Sequence, residues 1–214
     1  MTQPRGRFIT LEGSEGVGKS TNIAFVRDYL NARGINVVTT REPGGTERAE
    51  AIRALLLDPG PQEKLADDAE LLLVFAARAQ HLATLINPAL DRGDWVVCDR
   101  FTDATFAYQG AARGIALERI ATLEAFVQRG LSPDLTLLLD MPVEAAKERL
   151  LARGGAPDRF EKEDGVFFDA VRRGYLIRAK EAPERFEIVE ACAPLDQVQA
   201  RLADVLNDRL AVWT

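Results

Sequence analysis

The chain contains few of the residues from which many functional sites are built. Its 214 residues include one histidine and two cysteines, and 33 acidic side chains outnumber 27 basic ones, for a formal net charge of −6. Cys98 and Cys192 lie far apart and show no metal-binding spacing. We therefore expect two buried apolar cysteines in a reducing compartment rather than a disulfide framework. An acidic chain is also a poor candidate for nucleic-acid binding, which requires a basic surface.

Long hydrophobic runs and low-complexity linkers are missing as well. No apolar run approaches the length of a membrane span, about 20 residues. The segment Met1–Arg7 is short and polar, so we expect no signal peptide. Hydrophobic residues still make up 47% of the chain, which is enough for a substantial core. We therefore expect one cytoplasmic domain over residues 1–214, with no membrane and no nucleic acid as a partner.

Five short apolar runs alternate with helical patterns along the chain. They carry few charges and do not alternate polar with apolar residues, which is typical of parallel strands covered on both faces. The helical stretches between them supply the crossovers. The pattern predicts an α/β fold with a parallel five-stranded sheet flanked by helices. The predicted strands are Phe8–Leu11, Val37–Thr40, Trp95–Cys98, Leu135–Leu139 and Phe186–Val189.

The predicted helices include two with informative ends. Asp67–Ile86 is followed by Asn87 and Pro88, which we expect to begin a new helix with proline in its first turn. The helix Val143–Arg153 ends at a Gly-Gly-Ala-Pro sequence, and the polar segment to Lys162 is predicted to form a short lid at roughly 153–162. Further helices are predicted at Ser20–Arg33 and Ala116–Arg129.

The most informative stretch is GSEGVGKST, which matches the P-loop pattern G-x-x-x-x-G-K-[ST]. It lies between a predicted strand and a predicted helix, so that successive backbone N–H groups point at one anion. We expect Lys19 to add a positive charge at the β- and γ-phosphates of ATP, and Ser20 to supply a hydroxyl for Mg²⁺. The predicted phosphate-binding residues are Gly13, Ser14, Glu15, Gly16, Val17, Gly18, Lys19, Ser20 and Thr21. The fold is therefore predicted to be that of a P-loop NTPase.

Two predicted strands are followed by aspartates. In open α/β sheets, ligands bind beyond the carboxyl ends of the strands. Asp99 is followed at once by Arg100, and such a pair can serve a metal and a phosphate together; the competing interpretation is a surface salt bridge. Asp140 is followed by Met141 and Pro142, so a cap on the next helix is a stronger competitor there.

Further motifs occur in a fixed order after the P-loop. They are TREPGGT leading into AEAIRALLL, then FAARAQH, DRFTDATFAYQG and PDLTLLLD. A Pro-Gly-Gly turn alone is ordinary loop chemistry, but the ordered set resembles the bacterial type of thymidylate kinase over essentially the whole chain. The resemblance implies phosphoryl transfer from ATP to dTMP, giving ADP and dTDP for dTTP biosynthesis, with Mg²⁺ and in a homodimer.

The resemblance also implies roles for residues around the acceptor. Arg100 is expected to bind the dTMP phosphate, with Arg53 beside it, and Asp99 to join Ser20 in the metal and phosphate network. Glu15 is expected near the sugar 3′-hydroxyl and the acceptor phosphate. Arg78 resembles the arginine that hydrogen-bonds the thymine carbonyl. The remaining expected substrate residues are Thr105 and Gln109 along the base edge, Tyr108 under the deoxyribose, and Glu42.

The chain departs from the family pattern at two points. The aromatic ring that stacks on thymine is often four residues before the arginine matching Arg78, where this chain has Val74 and then Phe75. Either Phe75 stacks through a slightly altered helix or another apolar group covers the base, and ordinary core is an equal alternative for Phe75. Some relatives carry a catalytic arginine inside the P-loop at the position of Gly16. Bacterial-type relatives carry it in the lid, where Arg153 matches best and Arg159 is the second candidate.

Phosphoryl transfer depends more on alignment and charge neutralisation than on proton transfer. A phosphate acceptor has a second pKa of about 6 and needs no general base. The single histidine, His81, is accordingly interpreted as structural. Two alternatives stay open: a P-loop kinase of another small nucleotide, and a non-catalytic ATP-dependent switch module. Binding of dTMP would distinguish these from a thymidylate kinase.

Overall fold

The structure is a computed structural model that describes residues 5–58, 63–154 and 158–213. The strands are β1 (Phe8–Glu12), β2 (Val37–Arg41), β3 (Trp95–Asp99), β4 (Leu135–Asp140) and β5 (Phe186–Glu190). The helices are α1 (Lys19–Asn31), α2 (Glu47–Leu57), α3 (Asp67–His81), α4 (Asn87–Asp91), α5 (Thr102–Thr105), α6 (Leu117–Gln128), α7 (Val143–Arg153), α8 (Gly165–Glu181) and α9 (Leu195–Trp213). Leu82–Ile86 and Phe106–Ala112 are π-helical.

The strands form one parallel sheet in the order β2-β3-β1-β4-β5. The five apolar runs are therefore confirmed as strands, and the predicted α/β fold with helices on both faces is confirmed. Each strand extends one residue beyond the predicted run, and that residue is charged in every case. These terminal residues are Glu12, Arg41, Asp99, Asp140 and Glu190. The carboxyl edge of the sheet thus carries charged side chains immediately after the apolar interior of each strand.

The two faces of the sheet bury different helices. Ile9 and Leu11 of β1 pack with α1 and α9, through side chains such as Val26, Leu30 and Leu202. On the other face Phe8 packs with the end of the α3–α4 helical stretch, while Tyr175 of α8 packs against Leu138 of β4. Because successive strand residues point to opposite faces, Thr10 and Glu12 share the α8 side with Phe8.

The helix predicted at Asp67–Ile86 runs further than expected. α4 begins at Asn87 with proline in its first turn, as expected, but Asn87 itself has helical backbone angles, so the expected break and cap at Asn87 are wrong. Proline lacks an N–H and crowds the carbonyl of the preceding turn, and the wider π-helical turn at Leu82–Ile86 accommodates it without ending the helix.

Asp67–Asp91 is, within the described ranges, the one helical stretch long and apolar enough to cross a membrane, with a mean hydropathy of 1.3. This differs from the expectation that no run approaches a span. However, 44% of its apolar 18-residue stretch is buried in the protein, and Leu71, Phe75 and Ile86 lie in the core clusters. Core helices of globular proteins have the same length and hydropathy, so this stretch is accounted for by packing within the fold.

The expectations for the two cysteines, for Asp140 and for the lid segment have different outcomes. Cys98 is buried as expected, whereas Cys192 is exposed in the turn after β5, so the expectation of two buried cysteines is wrong there. Asp140 forms a partly exposed salt bridge with Arg172 of α8 at 2.7 Å, which agrees with the competing interpretation of the strand-end aspartates rather than with a metal site or a helix cap. The lid segment after Asp158 forms turns that lead into α8, and 155–157 lie outside the described residues.

Candidate active site

The P-loop connects β1 to α1 and is pressed against its neighbours. Gly13, Gly16 and Gly18 have φ of 134°, 79° and 91°, which side chains with a Cβ rarely adopt. A Cβ on Gly16 would lie 2.2 Å from the carbonyl oxygen of Ala146 in α7. The glycines therefore permit both the turn and the close packing that fix the loop.

Lys19 folds back over this loop. Its Nζ donates to the carbonyl oxygens of Ser14 at 2.8 Å and Gly13 at 3.2 Å. Burial lowers the pKa of Lys19, and the Arg100 guanidinium lowers it further, while Glu15 and Asp99 oppose this shift. An ammonium group held by neutral carbonyls retains its full positive charge for an anion in the loop.

A cavity of about 570 Å³ opens at the carboxyl edge of the sheet beside the P-loop. Most of the predicted site residues line it together. They are Glu15, Gly16, Gly18, Lys19, Ser20, Thr21, Glu42, Arg53, Arg78, Asp99, Arg100, Thr105, Tyr108 and Gln109. Gly13, Ser14, Val17, Phe75 and Arg159 are not among the lining residues.

Arg100 lines this cavity and is held from several sides. Its backbone is left-handed, with φ of 67°. Nη1 donates to the carbonyl oxygen of Gly13 at 2.8 Å and to the hydroxyl of Tyr175 at 2.9 Å. Nη2 lies 2.6 Å from Oε1 of Glu15, which also accepts from the Tyr108 hydroxyl at 3.3 Å. Burial raises the pKa of Glu15, but Arg100 and then Lys19 outweigh it and lower that pKa to about 2.

Arg53 of α2 lines the same cavity as Arg100. Its Nη1 donates to the carbonyl oxygen of Pro43 at 2.8 Å. Burial lowers the pKa of Arg53, and the neighbouring Arg41 guanidinium lowers it further. Arg53, Arg100 and Lys19 thus bring three cations to one concave surface, which is suited to phosphate groups.

Asp99 ends β3 at the cavity wall, and one of its oxygens has no partner. Oδ1 is buried and accepts no hydrogen bond, which is costly unless a ligand completes it. Ser20 lines the same cavity. Within the described part of the chain, no group of three or more His, Cys, Asp or Glu side chains is placed to hold a metal by itself. A single carboxylate and a hydroxyl fit Mg²⁺, which keeps several waters and shares phosphate ligands.

Arg78 of α3 is a buried arginine in the cavity lining. Its Nε donates to Oε2 of Glu42 at 2.7 Å, and Nη2 donates to Oγ1 of Thr105 at 3.0 Å. Nη1 is buried and has no partner. A buried guanidinium with one unused nitrogen favours an acceptor on a ligand, because leaving the group unpaired costs free energy.

The carboxylate that holds Arg78 is itself held by the single histidine. Nδ1 of His81 lies 3.0 Å from Oε1 of Glu42, and its Nε2 lies 2.7 Å from Oγ1 of Thr40. His81 is fully buried. It therefore orients Glu42, and through it Arg78, behind the cavity wall.

Val74 and Phe75 take different positions. Val74 lines the cavity, whereas the Phe75 ring is buried with Leu71 and Ile120 in a core cluster. The centroid of the Phe75 ring lies 4.9 Å from Cζ of Arg78. Phe75 thus packs the back of the arginine, and Val74 presents the apolar surface on the cavity side.

The second lid candidate, Arg159, contacts α2 and α3 and is not among the residues that line the cavity. Its Nε donates to the carbonyl oxygen of Leu56 at 2.7 Å, and Nη2 lies 2.7 Å from Oε2 of Glu70. Oε1 of the same fully buried glutamate accepts from Nε2 of Gln109 at 2.7 Å. The side chain of the first candidate, Arg153, lies outside the described residues. The structure therefore connects Arg159 through Glu70 to Gln109 of the cavity lining.

Several site residues escaped the sequence analysis. Arg149 and Leu150 line the cavity from α7, the helix that packs against the P-loop at Gly16. Arg149 follows the buried Ala146 by three positions, so helical periodicity could have placed it on the inward face. Glu12, Glu70 and Tyr175 support the lining residues from behind. For Glu12, a charged residue at the end of an apolar strand was the signal available, whereas Glu70 and Tyr175 lie in mixed helical sequence that gave no such signal.

Comparison with known proteins agrees with this geometry. The sequence model of the family described as Thymidylate kinase matches residues 11–202. The chain is 69% identical over 209 residues to a thymidylate kinase of Chromohalobacter salexigens, covering 98% of this chain and 99% of that protein. It is 61% identical over 198 residues to one of Pseudomonas putida, covering 91% of each.

A solved structure gives the same result in three dimensions. The fold is similar to the crystal structure of thymidylate kinase from Ehrlichia chaffeensis, with a TM-score of 0.75 and 33% identity, covering 95% of this chain and 99% of that one. The P-loop, the Asp99–Arg100 pair at the end of β3 and Arg78 all lie within the matched residues. The chain belongs to the thymidylate kinase family.

Proposed function

We propose that the cavity is the site in which this chain transfers the γ-phosphoryl group of ATP to dTMP, giving ADP and dTDP. Membership of the thymidylate kinase family supports the reaction. The observation that carries the assignment to this cavity is that the P-loop and Arg78, with its unpaired buried nitrogen, line one continuous space. Donor and acceptor can thus meet in one site, as alignment-driven phosphoryl transfer requires.

The donor end is formed by the P-loop. Its backbone N–H groups and the N-terminus of α1 favour the ATP phosphates. Lys19 exchanges its contacts with Gly13 and Ser14 for phosphate oxygens and neutralises charge at the transferring group. Asp99 and Ser20 would hold Mg²⁺, and the buried unpaired Oδ1 of Asp99 supports this. When bound, Mg²⁺ neutralises phosphate charge and fixes the phosphate geometry.

The acceptor end is formed by Arg100, Arg53 and Glu15. Arg100 presents its guanidinium to the dTMP phosphate, and Arg53 adds a second cation. Glu15 keeps Arg100 in place and lies where the 3′-hydroxyl would be, with Tyr108 below the deoxyribose. Because the acceptor phosphate is nucleophilic near neutral pH, these residues position and neutralise, and no side chain has to remove a proton.

The base end is formed by Arg78, Thr105 and Gln109. Arg78 donates from its free Nη1 to a thymine carbonyl, while Glu42 and Thr105 hold the rest of the guanidinium. Gln109 lies along the base edge, anchored by Glu70. Val74 supplies the apolar surface against the thymine ring. Phe75 contributes indirectly, because it packs against Arg78. A base that leaves these buried groups unpaired is rejected more strongly than one that lacks a methyl group.

The charge that develops between the two substrates requires a further cation, because the P-loop carries no arginine. Arg153 and Arg159 of the lid are our candidates. Arg159 would have to leave Glu70 to reach the phosphates, which favours Arg153 as the direct contact. Arg149, already at the cavity wall, is a third source of positive charge.

We also propose that the chain acts as one cytoplasmic domain and forms a homodimer through α2, α3 and α6. These helices pack side by side and expose Leu55, Leu72 and Phe126 by 58%, 57% and 78%. Light scattering tests this. Leu72→Asp or Phe126→Asp should produce monomers, and Val212→Asp, an equally exposed site on α9, should not.

Two measurements test the function. A substrate panel of dTMP, dUMP, CMP, AMP and GMP should show a clear preference for dTMP, and another preferred acceptor would support the alternative of a different nucleotide kinase. Calorimetric titration with dTMP should show stoichiometric binding. Absence of binding would favour the ATP-dependent switch module.

A further inference from the structure

Glu12 is a buried carboxyl group that does not itself reach the cavity surface. It is the last residue of β1, pairs with Leu138 of β4 in the parallel register, and has no exposed area. It is also absent from the cavity lining. Burial of a carboxyl group is unfavourable unless its oxygens accept hydrogen bonds, so the partners of Glu12 define what it does.

The first partner lies in the backbone next to Arg100. Oε1 of Glu12 accepts from the N–H of Phe101 at 2.7 Å. Phe101 directly follows Arg100, whose left-handed φ of 67° is uncommon for a residue with a Cβ. The Glu12 carboxyl group thus holds the peptide that leaves this unusual turn.

The second partner holds the other end of the same residue. Oε2 of Glu12 accepts from the hydroxyl of Tyr175 at 2.8 Å. The oxygen of that hydroxyl in turn accepts from Nη1 of Arg100 at 2.9 Å. One carboxyl group therefore reaches Arg100 twice, through its backbone and through its guanidinium.

We infer that Glu12 is a positioning residue for Arg100, fixing its backbone through Phe101 and its guanidinium through Tyr175 so that it faces the acceptor phosphate. The inference rests on the proposed role of Arg100 in binding the dTMP phosphate. Glu12 touches neither substrate, so it acts only through Arg100. A group that acts in this way changes dTMP affinity while Arg100 is present and has no effect once the guanidinium is gone.

The test is a double-mutant cycle on ligand affinity. Dissociation constants for dTMP and for ATP are measured by calorimetry for wild type, Glu12→Gln, Arg100→Lys and the double variant. Glutamine keeps the shape and the acceptor for Phe101 but presents an amide to Tyr175. We expect Glu12→Gln to weaken dTMP binding about tenfold or more, because the amide nitrogen cannot accept from Tyr175 and a buried hydroxyl is left unpaired, with ATP affinity changed less than about twofold. In the Arg100→Lys background the same change should have no further effect on dTMP.

Two further variants keep the result interpretable. Tyr175→Phe removes the bridge to the guanidinium without changing Glu12, and it replaces Glu12→Gln in the cycle if the latter does not fold. Thr10→Val is the matched control: it removes a buried hydrogen bond to Thr136 on the same face of β1, two residues earlier. It should lower the melting temperature and leave dTMP affinity unchanged.

The outcomes separate the inference from the proposed function. If Arg100→Lys leaves dTMP affinity unchanged, the proposed role of Arg100 is wrong. If Arg100→Lys weakens dTMP but Glu12→Gln does not, the positioning role is wrong. Two other results would also overturn the positioning role. One is an equal loss of dTMP affinity from Glu12→Gln with Arg100 and with Lys at position 100, and the other is an equal loss of affinity for ATP and for dTMP. Each would show that Glu12 supports the P-loop rather than Arg100.

Discussion

Nη2 of Arg100 and Oε1 of Glu15 form an ion pair 2.6 Å apart at the point where the P-loop meets the end of β3. The pair is partly accessible from the cavity, with side-chain exposures of 12% and 25%. Removing one partner leaves the other charge in a confined site. The pair therefore contributes to stability as well as to the site.

The first prediction concerns the pH dependence of that contribution. The pKa of Glu15 falls from 4.5 to about 2 in the folded protein. The stabilisation is present above pH 4.5 and is lost as the pH falls towards about 2. We expect Arg100→Met to lower the free energy of unfolding by about 1–2 kcal/mol at pH 7, discounted for the partial exposure. Urea unfolding at pH 7 and pH 3 should show this difference shrinking; a constant difference would contradict it.

The second prediction concerns Lys19. We expect Lys19→Ala to lower kcat by at least about 100-fold, because a preorganised charge on the transferring group is worth several kcal/mol. Its circular dichroism spectrum should match wild type. Lys147→Ala, at an exposed position on α7, is the control and should retain activity. Near-normal turnover by a folded Lys19→Ala protein would remove the P-loop assignment.

The third prediction concerns base selection. Arg78→Ala should weaken dTMP far more than ATP, because it removes the donor to the base and leaves Glu42 buried beside His81 alone. The preference of the wild-type protein for dTMP over dUMP should be smaller than the loss of dTMP affinity in Arg78→Ala, since one methyl group is worth about 1–3 kcal/mol. Arg201→Ala, an exposed arginine on α9, is the control. Loss of ATP affinity with unchanged dTMP affinity would mean that the pocket is misassigned.

The fourth prediction separates the arginines near the lid. Arg153→Ala should lower kcat strongly with little change in the KM for dTMP, as expected for a contact made mainly in the transition state. Arg159→Ala should lower kcat or weaken ATP, and its contact with Glu70 should make dTMP affinity fall as well. Arg149→Ala should chiefly weaken ATP. Steady-state kinetics for both substrates decide the assignment: wild-type kcat in all three would exclude this source of positive charge.

The fifth prediction concerns Glu12 and stability. Burial, and then the Asp103 carboxylate, raise the pKa of Glu12 from 4.5 to about 8, although Arg100, Tyr175 and the Phe101 N–H oppose the shift. The associated stabilisation is complete below pH 4.5 and is lost as the pH rises to about 8. Glu12→Gln removes this titration, so its free energy of unfolding should fall less than that of wild type between pH 5 and pH 8. Parallel curves for the two proteins would contradict the raised pKa.

The sequence predicts the sheet well because each strand is identified by its own consecutive residues. Each strand is a short apolar run, and the run identifies the buried residues directly. The charged last residues, such as Glu12 and Asp99, fall outside the runs, although they carry much of the chemistry. Apolar patterning therefore locates the edge where the site forms and omits the residues that form it.

The site behind the lining was not predictable in the same way. Glu12 and Tyr175 are 163 positions apart and meet only because α8 packs on β1 and β4. Glu70 joins Gln109 to Arg159 across 39 and 89 positions, and no local pattern in α3 distinguishes it from an exposed helix glutamate. Such contacts are set by the tertiary packing of helices, which a motif does not encode.

The left-handed backbone at residue 100 has a consequence for how this chain can vary. Glycine would adopt φ of 67° more easily than any other residue, since it has no Cβ to clash with the following peptide. Only arginine provides the forked cation that meets Gly13, Glu15 and Tyr175 at once. Glycine at this position would therefore relax the backbone while leaving the Glu15 carboxylate, the Gly13 carbonyl and the Tyr175 hydroxyl without their shared partner, so the ease of the turn is set against the contacts of the side chain.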